Sequence, residues 1–263
     1  MFNGLRLLRA ECLRVFGDVK NYWFNYLLGN LNVFFMFFGL FFTFSKNQGA
    51  SLDKLLFLFG LMYWYFGTHA IDLVSLLMEE EIEQGTLEQL LMTRIPLAVS
   101  FGFRIAAQVL FDLCKGLLVF VLCMWSFGID FALAANVRFL LSIAVFFWSL
   151  AAMYGAGYIV AGFSLVYKQA SSLASLSSSL ILFFSGTTIE ISAFPSAIQF
   201  LIQCFPFYWS NQAIGQILLG QTDSLAFCLF MLALEFFVWL FGGVWIFHRC
   251  LNRVYRSGTT ASY

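Results

Sequence analysis

Six long stretches with few charged side chains decide what this chain can become. A helix needs about 20 apolar residues to cross a hydrocarbon core of about 30 Å. By that measure spans are expected near Tyr22–Phe44, Leu55–Leu77, Ile105–Phe127, Phe139–Val166, Ser171–Gly186 and Leu225–Phe247. The composition agrees: 61% of the 263 residues are hydrophobic, 11% are charged, and the mean hydropathy is +0.85, where soluble domains run near 45–50% apolar and about 25% charged. The 35 phenylalanines exceed what one soluble core of this length can hide. In lipid they need no hiding, because acyl chains are equally apolar. The expected fold class is an all-α integral membrane protein with six transmembrane helices, forming a single domain over residues 1–263.

Net charge is zero, with 14 basic and 14 acidic side chains, so no basic surplus points to nucleic acid. The six cysteines are scattered without a C-x-x-C pair, which argues against a metal or disulfide framework. The first apolar run is longer than a signal-peptide core, so no cleavable leader is expected. Residues 2–18 read as an amphipathic helix lying in the membrane interface. Phe2, Leu5, Leu8, Cys12, Leu13, Val15 and Phe16 gather on one side, with Asn3, Arg6, Glu11, Arg14 and Asp18 on the other. Residues 187–220 are apolar but broken by Pro195 and Pro206. Proline does not sit in a plain helix interior, so one or two short re-entrant helices are expected there. Arginines and lysines concentrate in the N-terminal segment, the connection after the second span, and the C-terminal segment. The positive-inside rule then puts both termini in the cytoplasm.

The connection over residues 79–96 has a pattern that a merely hydrophilic loop would not need. Gly85 can stop the outgoing helix. Thr86, with Gln89 three residues on, can cap a new helix bearing Leu87, Leu90 and Leu91 on one face before Pro96. A short helix offering leucines and carboxylates to the cytoplasm is a docking element for a soluble partner.

The run Glu81-Ile82-Glu83-Gln84-Gly85-Thr86-Leu87-Glu88-Gln89-Leu90-Leu91-Met92-Thr93 resembles the hallmark of ABC-2 type transporter permeases of the drug-exporter branch. Arg94 stands where that family usually has proline, Pro96 follows two residues later, and Arg104 fills a basic position. Ser185-Gly186, Phe194-Pro195 and Phe205-Pro206-Phe207-Tyr208-Trp209 are similar to a second, weaker pattern of the same family. The resemblance implies a multi-pass subunit of the bacterial inner (plasma) membrane. It implies that two permease subunits pair, as a homodimer or with a sister permease, and that each docks on a separate ATPase carrying ATP and Mg. Coupling to that ATPase falls on Glu81, Glu83, Gly85, Thr86, Leu87, Glu88, Leu90, Leu91 and Arg104. The chain has no G-x-x-x-x-G-K-[ST] loop, so no phosphate cradle of that type is expected on it. It is read as a transport subunit without catalytic residues, bound cofactor or metal.

Charges inside the membrane are costly and therefore candidates for function. Asp112 and Lys115 lie three apart in the third span, on one helical face, where they can neutralise each other. Glu235, near the middle of the sixth span, either pairs with Lys115, is held protonated, or touches substrate. Candidate pathway residues are Asn25 and Asn32 in the first span and Ser171, Ser175, Ser178 and Ser179 in the fifth. Such small and hydroxylated residues equally serve close helix packing. His69 and His248 are read as structural. The leading function is the membrane subunit of an ATP-driven exporter of a drug-like, lipidic or peptide cargo. The alternatives are a permease for a lipid-linked polysaccharide or lipid, a proton-coupled secondary transporter, and a membrane scaffold. The last two leave the docking helix without a purpose.

Overall fold

The computed structural model describes residues 4–44, 51–86, 89–90, 92, 95–133, 136–167, 171–184, 194–222 and 224–257. Among them every regular element is helical. Tyr22 alone separates α1 (Gly4–Asn21) from α2 (Trp23–Phe44). The Tyr22 N–H donates to Asp18 C=O (2.9 Å) and the Tyr26 N–H to Tyr22 C=O (3.2 Å), carrying the helical pattern through the junction. Then come α3 (Ser51–Glu83), α4 (Leu97–Ser126), a single 3-10 turn (Phe131–Leu133) and α5 (Val137–Tyr167). α6 (Ser171–Phe184), α7 (Ser196–Gln203), α8 (Pro206–Leu219) and α9 (Leu225–Ser257) complete the order.

Among the described residues four helices, α2, α4, α5 and α9, are long and apolar enough to cross a membrane. The chain is therefore a multi-pass membrane protein. α3 has ample length at 33 residues but carries Tyr63, Trp64, Tyr65, Thr68 and His69 in mid-helix, which lower its apolar character. It is instead one of the two best-covered helices, with Leu55, Leu58, Leu61, Ala70, Val74 and Met78 wholly buried. α6 is 14 residues long, short of the ~20 a full crossing takes; the rest of the expected fifth span lies outside the described residues.

α5 is the hub, packed against α3, α8 and α9. Glycine makes the closest crossing possible. A Cβ on Gly155 would overlap the Trp239 carbonyl of α9, and one on Gly243 would overlap the Gly155 carbonyl. On the other side of α5, a Cβ on Gly157 would stand 2.7 Å from the Ala70 carbonyl of α3. α2 is peripheral, burying only Phe37 and Phe41 among its described side chains.

The proline-broken region contains two short helices. Pro195 precedes α7 and Pro206 is its first-turn counterpart in α8, where a missing N–H costs nothing. Gly220, at φ 74°, ends α8 in the left-handed region. Residues 187–193 of that region lie outside the described residues.

α1 departs from the expected division of faces. Leu7, Leu8, Glu11, Cys12 and Val15 are its half-buried side, and it packs on α4. Leu5, Leu13 and Phe16 look outward beside Arg6, Arg9 and Lys20. A projection by polarity put Glu11 on the outer face; a cation on α4 draws it inward instead.

Candidate coupling site and the polar groups inside the bundle

The end of α3 is built by backbone chemistry. Gly85 has φ +68°, a region that L-residues with a Cβ enter at a cost. Its N–H donates to Ile82 C=O (3.1 Å), while the Thr86 N–H donates to Glu81 C=O (3.1 Å). These two bonds are the Schellman closure of a helix. The Leu90 N–H then donates to Thr86 C=O (3.1 Å), so a new helical turn opens at Thr86. The Thr86 hydroxyl turns back to donate to the Glu81 carboxylate, a partner that the capping-box pattern with Gln89 did not suggest.

The carboxylates of this segment divide by exposure. Glu83 is exposed. Glu79 is half-buried and accepts from Ser75 (3.4 Å) and from Ser164 of α5 (3.3 Å). Glu81, expected among the carboxylates presented to the cytoplasm, is buried (6% exposed) and faces inward. Its second oxygen takes Arg104 Nη1 at 2.5 Å, and Arg104 Nε lies 3.7 Å from Glu11 on α1. Arg14 in turn approaches Glu11 at 4.0 Å. One guanidinium thus ties α1, α3 and α4 together beneath the bundle. Burial alone would raise the Glu81 carboxyl, but the Thr86 hydroxyl and the Arg104 guanidinium outweigh it and hold it below the ordinary glutamate range.

Leu90 is half-buried and packs against the core. Leu87, Glu88 and Leu91 lie outside the described residues. Met92, which the pattern reading passed over, is 85% exposed. A methionine at a turn inside a leucine-rich motif was the available signal. The other residue missed was Glu11, hidden because its partner Arg104 is 93 positions away.

Among the candidate intramembrane charges, Asp112 is buried and holds Lys115 Nζ at 2.5 Å on one oxygen and His69 Nε2 at 2.7 Å on the other. The Lys115 ammonium also lies over the rings of Tyr26 (5.5 Å) and Phe111 (5.2 Å). The three elements α2, α3 and α4 meet at this cluster. His69 sits in it through an α3–α4 contact that no local spacing announces. The expected pairing of Lys115 with Glu235 does not occur, since α9 packs on α5 and α8 and scarcely meets α4. Glu235 is buried, and its Oε2 finds no hydrogen-bond partner among the described residues.

Four of the six candidate pathway residues lie on the outside of the subunit. Asn25, Asn32, Ser175 and Ser179 are exposed, and a Cβ on Gly29, between the asparagines, would meet nothing within 4 Å. The Ser179 hydroxyl donates to Ser175 C=O (3.2 Å). Ser171 and Ser178 lie on the same helix, but their side chains are outside the described set.

A search of curated proteins finds no match to the chain. The family model for the ABC-2 type transporter matches residues 5–219, a stretch that runs from α1 through residues 79–96 to the end of α8. A bundle of membrane helices with this interhelical clamp beneath it, matched over most of its length by that model, belongs to the ABC-2 type transporter family and is a membrane permease subunit of an ABC transporter.

Proposed function

We propose that this subunit is the membrane half of an ATP-driven exporter of the drug-exporter branch, and that it receives the ATPase stroke at residues 79–96. The observation that carries the reading is the Arg104 clamp. It joins Glu81, five residues before the new helical turn at Thr86, to the N-terminal part of α4 and the middle of α1. A push on that turn is therefore delivered to three helices at once. In this reading Glu83, Gly85, Thr86, Leu87, Glu88, Leu90 and Leu91 form the surface or support of the docking segment. ATP and Mg bind on the partner ATPase. α3 and the segment beginning at α6 add two crossings to the four apolar helices, giving six spans with both termini cytoplasmic in the inner membrane.

A second permease copy completes the molecule. Asparagine on a lipid-facing surface is costly, and Asn25 and Asn32 are exposed on α2 together with the Ser175–Ser179 stripe of α6. A partner subunit covering these stripes would place them along a shared pathway for an amphipathic cargo.

The test is reconstitution with a separate ABC ATPase. The wild-type chain should retain the ATPase through purification and stimulate its turnover. Gly85→Val should reduce stimulation at least tenfold while the monodisperse membrane fraction persists. Retention and full stimulation by that variant would sink the coupling reading.

A further inference from the structure

α4 and α5 follow each other in the chain yet scarcely touch. α4 leans on α1, α2 and α3, whereas α5 leans on α3, α8 and α9. The gap between them is floored by α3. Phe59, Met62 and Phe66 form the floor, Leu117, Val121 and Met124 belong to one wall, and Ile143 and Phe147 to the other. The floor rings are locked in an aromatic cluster: Phe59 lies 5.7 Å from Phe120 and 6.0 Å from Phe139, and Phe66 lies 5.9 Å from Phe146. Gly116 makes this possible, because a Cβ there would overlap the Phe66 ring. The result is a groove of about 290 Å³ with no polar side chain in its lining.

We propose that this groove holds one acyl chain of a bilayer phospholipid. Its length supports this. Along α4 it runs from Leu113 to Met124, a rise of about 16 Å at ~1.5 Å per residue. Half of a hydrocarbon core of about 30 Å is about 15 Å, so the groove is one leaflet deep. It occupies the half of α4 nearest the connection to α5, away from the coupling segment, and therefore serves the leaflet opposite the docking side. Its mouth is continuous with the lipid-facing surface: Leu117 is 61% and Val121 45% exposed. Its girth is too small to enclose a helix. A helix 10–12 Å across needs more than about 1,200 Å³ over that length, and even the whole open space around the groove is about 880 Å³. Water has no hydrogen-bonding group to hold it there. The assignment needs the bilayer alone and no ATPase.

The experiment uses the full chain in phosphatidylcholine nanodiscs containing a trace of phosphatidylcholine with a nitroxide on its acyl chain. The wild type should show a motionally restricted lipid component. Val121→Trp and Leu117→Trp, each at an already exposed position on the rim, should lower that component at least twofold. Phe241→Trp, on the exposed face of α9, should leave it unchanged. A restricted component that survives both rim variants, or that falls as far with Phe241→Trp, overturns the proposal. So does its release on adding a partner ATPase with ATP, which would mark a cargo in transit and not a resident lipid.

Discussion

Arg104 is the single side chain on which the underside of the bundle depends. Its side chain is 14% exposed and faces the buried carboxylate of Glu81. Removing one member of a buried pair leaves the other charge uncompensated, at about 3–5 kcal/mol. Arg104→Ala should therefore lower the melting temperature of the detergent-solubilised protein sharply. Adding Glu81→Gln to it should recover part of the loss, which a thermal-shift comparison of the single and double variants would read. The same pair sets an acid limit. The Glu81 carboxyl is held below its ordinary value in the folded chain, so the unfolded chain binds that proton more readily. The stabilisation is complete above about pH 4.3, the unperturbed glutamate value, and is lost as pH falls through the lowered folded value. Melting curves taken between neutral pH and pH 3 should lose stability more steeply for the wild type than for Glu81→Gln.

At the scale of helices, the α5–α9 crossing is set by glycine backbone. Gly155 and Gly243 meet each other's chain where a methyl group has no space. Neither carbonyl can move without its helix, so Gly155→Val should cost more than about 3 kcal/mol, the upper range of ordinary overpacking. Size-exclusion chromatography should show loss of the monodisperse species, whereas Gly29→Val, in open space on α2, should elute as wild type. The elements themselves were legible in sequence. Long apolar runs placed α2 and α5 to within two residues and located α4 and α9, although α4 starts eight residues earlier and α9 ends ten later than the runs, and Pro195 and Pro206 marked the starts of α7 and α8. Gly85 marked the end of α3 because only glycine takes its backbone angle cheaply. What escaped were pairings between distant residues. His69 with Asp112 and Glu11 with Arg104 depend on which helices become neighbours, and periodicity within one helix carries no information about that. The face of α1 was misread for the same reason: polarity alone put Glu11 outside, but the half-buried Arg104 made the inside the better place for it.

For the whole molecule, the exposed polar stripes matter most. An isolated subunit leaves Asn25, Asn32, Ser175 and Ser179 on its perimeter, and no element among the described residues covers them. If two copies meet there, Ser175→Cys in a background lacking the six native cysteines should give a disulfide-linked dimer on mild oxidation. Phe237→Cys, on the exposed face of α9, should remain monomeric on a non-reducing gel.

Asp112 and Lys115 have an electrical consequence. Carrying one elementary charge through 100 mV costs about 2.3 kcal/mol. The acid and the base sit one turn apart on the same helix, held at 2.5 Å, so any tilt or slide of α4 displaces both together and transfers no net charge from them. The Asp112–Lys115 pair therefore adds no gating charge to α4, and a voltage across the bilayer acts on that helix through other groups, Arg104 among them.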